Sequence, residues 1–217
     1  MNLAVDRPRP QVPGYGEAAK SISLPAEPCE SLKALSRREG APLSMALLTV
    51  FKTLLYRYTA EAEVVVGMAM ARKDRAQIEA PAGFSIDMPP IRTDLSGNAW
   101  FTYLLKRVRD AVLRAYIHRR ALHPLENSCN VAFGMRNASE SEAGLAGREP
   151  AKSDLALWII EETEAIRAEW IYRADLFEEA AIVRMHSHFE TLLSSIVARS
   201  NAPLDELEML SEAERER

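Results

Sequence analysis

Hydrophobic residues recur every three or four positions in four stretches of the chain, which predicts four helices. The second stretch is apolar on nearly every side, as expected of a helix buried in the core, and Ser44 precedes it as a candidate cap. Gly40 is a natural stop for the first stretch, and the third is expected to end between His118 and Pro124. The predicted helices span residues 27–38, 45–58, 100 to between 118 and 124, and about 178–199.

Shorter apolar runs predict strands. Residues 63–70 are continuously apolar after Glu63 and rich in valine, which favours a strand covered on both faces. Residues 86–92 form a weaker candidate, because the adjacent Pro89 and Pro90 remove two backbone donors and restrict the segment to a sheet edge or an extended bridge. Residues 131–135 predict a further strand, and residues 155–160 and 166–172 predict a hairpin. The order of elements indicates an α/β fold with a sheet flanked by helices.

Composition narrows the functional classes. Hydrophobic residues make up 47% of the 217 residues, yet no apolar run reaches the roughly 18 residues of a membrane span, so we expect a cytoplasmic protein with no membrane partner. The 27 basic and 31 acidic residues are well mixed, which argues against nucleic acid as a partner. Cys29 and Cys129 lack metal-ligand spacing and are expected to be small buried hydrophobes.

Short segments in a fixed order indicate the family. They are DRPRP at 6–10, LLYRYT at 54–59, VVVGM at 64–68, RTDLSG at 92–97 and MLSEAER at 209–215. In this order they resemble the C-terminal lobe of the condensation domain of nonribosomal peptide synthetases. The resemblance implies the C-terminal lobe of a chloramphenicol-acetyltransferase-like fold, with a mixed sheet flanked by helices.

The chain also departs from the family pattern. Where the family has GFFVNT lining the path between its two lobes, this chain has GFSIDM, with Asp87 and Met88 at the Asn and Thr positions. A segment with an arginine is missing between Glu126 and Val131. The resemblance therefore places a former lobe interface, or cleft, at six residues. These are Gly83, Phe84, Ser85, Ile86, Asp87 and Met88.

The catalytic motif of the family, HHxxxDG, belongs to the N-terminal lobe, and no two adjacent histidines occur here. We therefore assign no catalytic residue, metal or cofactor to this chain, and catalysis by the chain alone is not expected. Residues 1–20 are interpreted as a linker, 21–205 as a truncated condensation-like domain, and 206–217 as a linker toward an adenylation domain.

The resemblance implies a non-catalytic structural or docking platform beside an adenylation domain. Two alternatives stay open. The chain is one half of a split or trimmed condensation domain that forms amide bonds when its other lobe is supplied, or it recruits a carrier protein or a tailoring enzyme. Expected partners are the adenylation domain and a carrier protein with its phosphopantetheine arm, and a homodimer is a further way to bury exposed apolar surface.

Histidines and one aspartate are the remaining candidates for chemistry. His118 and His123 are expected at a solvated helix end, and His186 and His188 at surface or half-buried positions pointing in different directions. Asp154 resembles a family position but equally fits a carboxylate that caps a turn. Both interpretations of Asp154 remain open from the sequence.

Overall fold

The computed structural model describes residues 3–10, 16–71, 86–118, 129–138, 153–163 and 165–216. Within them, α1 is Ala26–Arg38, α2 is Leu43–Thr59, α3 is Phe101–His118, α4 is Glu179–Ala198 and α5 is Glu212–Arg215. The strands are β1 Glu17–Leu24, β2 Glu63–Met68, β3 Met70–Ala71, β4 Ile86–Asp87, β5 Pro90–Asp94, β6 Val131–Asn137, β7 Leu155–Glu161 and β8 Ile166–Arg173. A single turn of 3₁₀ helix, Leu204–Glu206, precedes α5.

The strands of the described residues form a mixed sheet of six in the order β1-β8-β7-β6-β2-β5. Strand β6 runs parallel to both β7 and β2, and the other neighbours are antiparallel. The first strand lies beside the last, with Glu17 opposite Arg173. Strands β3 and β4 form a separate antiparallel pair.

One hydrophobic core joins the apolar sides of the long helices to one face of the sheet. Phe51 of α2 lies at its centre, fully buried, with its ring 6.2 Å from Phe133 of β6 and 5.9 Å from Trp170 of β8. The ring of Phe189, on α4, is 6.2 Å from that of Trp170. Since side chains alternate along a strand, Ala132, Ala156 and Ile171 belong to a small second cluster on the opposite face.

The predicted fold class is confirmed, and the four long helices begin and end within about two residues of their predicted bounds. The predicted strand 86–92 is divided, because Ile86 and Asp87 form β4 in the separate pair and Pro90 begins β5 at the sheet edge, one of the two alternatives expected. The cap at Ser44 is wrong, because Pro42 precedes α2 and no side chain caps the helix. The pattern also missed β1, whose side chains alternate between exposed and half-buried along an edge and carry little apolar signal.

Candidate interdomain site

The predicted cleft segment is described only at its C-terminal end. Gly83, Phe84 and Ser85 lie outside the described residues, whereas Ile86 and Asp87 form β4, opposite Ala71 and Met70. Met88 is half-buried and packs against the second cluster, on the sheet face opposite the helices. The assignment of residues 83–88 to a lobe interface stays a prediction, and Met88 connects that segment to this face of the sheet.

The same face carries an aromatic and charged group that the sequence analysis did not identify. The indole of Trp158 covers Gly134 on the neighbouring strand, where a Cβ would collide with the ring. The Arg136 guanidinium lies 5.3 Å from the centre of that ring and donates to the Glu169 carboxylate at 2.8 Å. Both charged side chains are about four-fifths buried, so the ion pair is a fixed part of this face.

Lys52 brings an ionisable amine into the core, where its side chain is fully buried. Its ammonium group donates to the carbonyl oxygens of Val64, at 2.9 Å, and Ile91, at 2.6 Å. Helix α2 is thereby tied to β2 and to the edge strand β5. Burial lowers the pKa of Lys52 to about 7, because desolvation disfavours the charged amine. A lysine within a helix that is apolar all round is the sequence signal that could have identified it.

The N-terminal segment, residues 3–10, is fixed to the start of α4. The Asp6 carboxylate accepts from the backbone N–H of Glu178 at 3.0 Å, just before the first helical residue. The N–H groups of Asp6 and Arg7 both donate to the carbonyl of Leu176, at 3.0 and 3.1 Å. Leu3 is buried in the main core. A segment that the sequence presents as a linker is thus packed and hydrogen-bonded.

Asp154 completes this anchor. The Arg9 guanidinium donates to both of its carboxylate oxygens, at 3.1 and 2.5 Å, and Arg173 forms an ion pair with it at 3.5 Å. Only 6% of Asp154 is exposed. Its contacts therefore hold the N-terminal segment against the end of β8, and its carboxylate binds arginines in place of the turn-capping role that the sequence left open.

The C-terminal segment, residues 204–215, folds back onto the same helices. Arg57 of α2 donates to the carbonyls of Leu204, at 3.1 Å, and Leu207, at 2.9 Å. On α4, the Ser195 hydroxyl accepts from the N–H of Glu208 at 2.9 Å. Leu204 and Leu207 are both buried. This part of the chain is therefore packed against α2 and α4.

His188 of α4 fixes the end of that segment. Its Nδ1 lies 2.6 Å from the Tyr58 hydroxyl and its Nε2 lies 3.1 Å from the Glu214 carboxylate. A neutral ring with the proton on Nε2 satisfies both contacts, since the phenol then donates to Nδ1 and Nε2–H donates to Glu214. Burial raises the pKa of Tyr58 to about 12, which keeps the phenol protonated.

Glu214 is held as a carboxylate by Ser211. The Ser211 hydroxyl and backbone N–H donate to Glu214 Oε2 at 2.7 and 2.9 Å. These bonds, with a smaller contribution from His188, lower the pKa of Glu214 to about 2. The acceptor of the His188 contact is therefore ionised throughout the physiological pH range.

The structure corrects the expected placement of two histidines. His186 and His188 are buried, with 3% and 8% of their surfaces exposed, instead of lying at the surface or half-buried. His186 Nδ1 accepts from the Trp170 indole N–H at 3.1 Å, and burial lowers the pKa of His186. Its Nε2 is 3.1 Å from Glu190 but too poorly aligned for a hydrogen bond. His118 is exposed at the end of α3, and His123 lies outside the described residues.

The expected cysteine environment is found at Cys29, which is buried and whose pKa desolvation raises to about 11, whereas Cys129 is half-buried. No metal-binding group of three or more His, Cys, Asp or Glu side chains occurs in the described part of the chain. None of its described helices is long and apolar enough to cross a bilayer.

The polar contacts of the described residues thus form two features. One is a set of anchors for the N-terminal and C-terminal segments, and the other is a sheet face with aromatic and charged side chains.

The whole chain matches a known protein family. The family model for the condensation domain matches residues 1–217. One of the linear gramicidin synthase proteins from Brevibacillus parabrevis is 36% identical over 240 residues, a match covering 100% of this chain and 3% of that protein. A surfactin synthase protein from Bacillus subtilis is 30% identical, with 99% of this chain and 7% of that protein covered. The chain thus spans a small part of these relatives.

Solved structures share the fold at lower identity. The X-domain from teicoplanin biosynthesis, in its complex with OxyB, has a TM-score of 0.80 and 22% identity, with 98% of this chain and 53% of that chain covered. A four-domain nonribosomal peptide synthetase bound to AMP and glycine has a TM-score of 0.83 and 15% identity, with 97% and 19% covered. This chain therefore corresponds to about half of the X-domain chain.

Proposed function

Because this chain belongs to the condensation domain family, we propose that it is a non-catalytic structural and docking platform in a peptide synthetase or hybrid assembly line, beside an adenylation domain. Its 217 residues include no adjacent histidine pair. The family resemblance places the catalytic HHxxxDG motif in the other lobe. The buried histidines of α4 are engaged by Trp170, Tyr58 and Glu214 and offer no base to a substrate.

The observation that carries the proposal is that one helix holds both terminal segments. Asp6 binds the backbone at the start of α4, and the other contacts follow along the helix at His188, Ser195 and Arg199, whose guanidinium donates to the Glu206 carbonyl at 2.8 Å. A helix of 20 residues is about 30 Å long. A domain joined through one segment would therefore be held in a fixed position relative to a domain joined through the other segment.

The relatives support the kind of neighbour proposed. Linear gramicidin synthase and surfactin synthase are much longer proteins, of which this chain matches 3% and 7%. The four-domain synthetase with the same fold binds AMP and glycine. In this proposal the platform fixes an adenylation domain that follows residue 217. It also contacts carrier proteins, which carry the phosphopantetheine arm.

An assay of amide formation tests the non-catalytic role. The purified chain is incubated with a carrier-bound aminoacyl donor and a carrier-bound acceptor, and intact mass spectrometry follows the dipeptidyl carrier. We expect no product above a control without the chain, because the sequence contains no HHxxxDG motif to supply the base. Product from the chain alone would contradict the proposal. Product that appears only when an N-terminal lobe is added would favour the split-domain alternative.

Hydrogen exchange tests the platform itself. In the 217-residue chain, Glu214→Gln and His188→Phe should speed amide exchange in residues 204–215 by at least tenfold, whereas exchange in β6 to β8 stays unchanged. Asp205→Asn, an exposed carboxylate in the same segment, is the matched control and should have no effect. Fast exchange of residues 204–215 in the unmodified chain would show a flexible linker and overturn the platform role.

A further inference from the structure

Helix α3 presents a concentrated apolar surface. Among the described residues seven large hydrophobic side chains are exposed, and five of them lie on α3 or directly before it. Isolated exposed hydrophobics are common, whereas a group on one element indicates a contact surface. The five residues and their exposed fractions are Trp100 53%, Tyr103 46%, Leu113 49%, Tyr116 50% and Ile117 72%.

Most of this surface falls on one side of the helix. Successive residues are 100° apart when the helix is viewed along its axis. Three of the exposed apolar residues and three charged residues then lie within one arc of about 100°. We call this arc the outer face of α3. Its residues are Tyr103, Lys106, Asp110, Leu113, Arg114 and Ile117.

The charge of α3 narrows the choice of partner. The helix has four basic residues and one acidic residue, in a chain whose net charge is −4. Arg107 donates to the Asp94 carbonyl at 2.8 Å, and its guanidinium lies over the Tyr103 ring, 4.7 Å from the ring centre. Arg109 donates to the Glu39 and Gly40 carbonyls at 3.3 Å. Lys106 and Arg114 lie on the outer face with Asp110; Glu39 is 3.8 Å from Lys106, and Arg109 is 3.9 Å from Asp110. The outer face therefore combines apolar side chains with two positive charges and one negative charge, a net positive charge of one.

We propose that the outer face of α3 docks a partner helix that has an apolar stripe flanked by carboxylates. Apolar contacts with Leu113 and Ile117 would supply affinity, and carboxylates opposite Lys106 and Arg114 would supply specificity. A second copy of the chain is disfavoured, since two net positive faces would meet. This inference deepens the docking role and rests on the proposed function.

The test uses the complete chain and two synthetic 20-residue helical peptides with the same leucine stripe. One peptide flanks the stripe with glutamate and the other with lysine. Fluorescence anisotropy should show the glutamate peptide binding at least tenfold tighter than the lysine peptide, with weaker binding at 300 mM than at 50 mM salt. Equal binding of the two peptides, or no binding of either, would overturn the proposal.

Two substitutions on α3 test where the peptide binds. Ile117→Ser should weaken binding of the glutamate peptide at least fivefold, because it removes an apolar contact. Arg114→Glu should weaken binding by at least the same factor, because it reverses a charge while leaving the apolar surface intact. Val183→Ser, on α4 with 42% exposure, is the matched control and should leave binding unchanged. Circular dichroism checks that each variant is folded. Unchanged binding by both α3 variants would contradict the site.

Sedimentation of the free chain tests whether a second copy of the chain covers the outer face. A dimer that Ile117→Ser dissociates would show that a second copy covers the outer face, and the proposal would then be wrong. The described contacts of residues 204–215 do not involve the outer face of α3, so failure of peptide binding with slow exchange there would leave the platform role standing. Fast exchange would remove the platform role instead.

Discussion

The indole of Trp158 occupies the space that a side chain at position 134 would need. Residue 134 is glycine, and Gly134 and Trp158 are directly paired in the parallel ladder between β6 and β7. The ring can lie flat across the strand because no Cβ projects there, and Arg136 then stacks on it from two residues along β6. A glycine inside a strand, normally unfavourable, is here the condition for the aromatic and charged group on this face.

Gly134→Ala is expected to displace Trp158 and to destabilise the protein by about 1–3 kcal/mol, the usual cost of overpacking. Urea unfolding gives the free-energy change, and near-UV circular dichroism reports the indole. Trp158→Leu should reduce the penalty of Gly134→Ala, because the smaller side chain leaves room for the methyl group. Additive effects of the two substitutions would contradict the proposed collision.

Lys52→Met should stabilise the protein most at pH 7 and progressively less as the pH rises. The pKa of Lys52 is about 7 in the folded state, against 10.5 for an ordinary lysine. Between these values the unfolded chain binds a proton that the folded chain does not, so wild-type stability increases with pH. The difference between variant and wild type should shrink by up to about 1.4 kcal/mol per pH unit in urea titrations at pH 7, 8 and 9.

The exposed Lys106 provides the control for that comparison. Lys106→Met removes an exposed ammonium, and the same urea titrations of this variant measure how far the loss of a surface lysine alone changes stability with pH. If the difference between Lys52→Met and wild type depended on pH no more than this control, the buried amine would keep its proton and its two carbonyl contacts would compensate for desolvation.

Glu214→Gln should remove part of the acid sensitivity of the C-terminal segment. The folded pKa of Glu214 is about 2, below its ordinary value of 4.5. Its ionic contribution is thus complete above pH 4.5 and is lost as the pH falls toward 2. Hydrogen exchange of residues 204–215 at pH 5 and pH 3 should differ more in the wild type than in the variant. An equal pH response would show that other carboxylates control this segment.

Phe51→Ala should cost about 3–5 kcal/mol, through lost apolar transfer and the cavity left among Phe133, Trp170 and α2. Thermal and urea unfolding measure the loss. Val183→Ala, an exposed apolar position on α4, is the control and should change stability by less than about 0.5 kcal/mol. An unchanged midpoint for Phe51→Ala would contradict its central place in the core.

Helices and strands whose apolar residues repeat regularly could be predicted from the sequence. The polar contacts that anchor the terminal segments could not. Phe51 and its neighbours repeat at helical spacing, so α2 and its burial follow from the sequence. The contacts of Asp154 with Arg9 and of His188 with Glu214 depend on tertiary packing between segments distant in sequence. Polar residues of this kind resemble surface positions in any local pattern. Asp87 and Met88 were assigned to the cleft by family resemblance, and that assignment stays a prediction; Met88 packs against the second cluster of the sheet.

The pairing of β1 with β8 also constrains when the protein can fold during synthesis. Glu17 is opposite Arg173, so the first strand has no neighbour in the sheet until nearly the whole unit has left the ribosome. At 5–20 residues per second the intervening chain takes roughly 8–30 s to be made. During that interval β1 and the N-terminal segment must stay unpaired while α1 and α2 form. This delay exposes an unpaired strand to the rest of the nascent chain, so the polar side chains of Glu17, Lys20, Ser21 and Ser23 in β1 help to keep it from pairing wrongly.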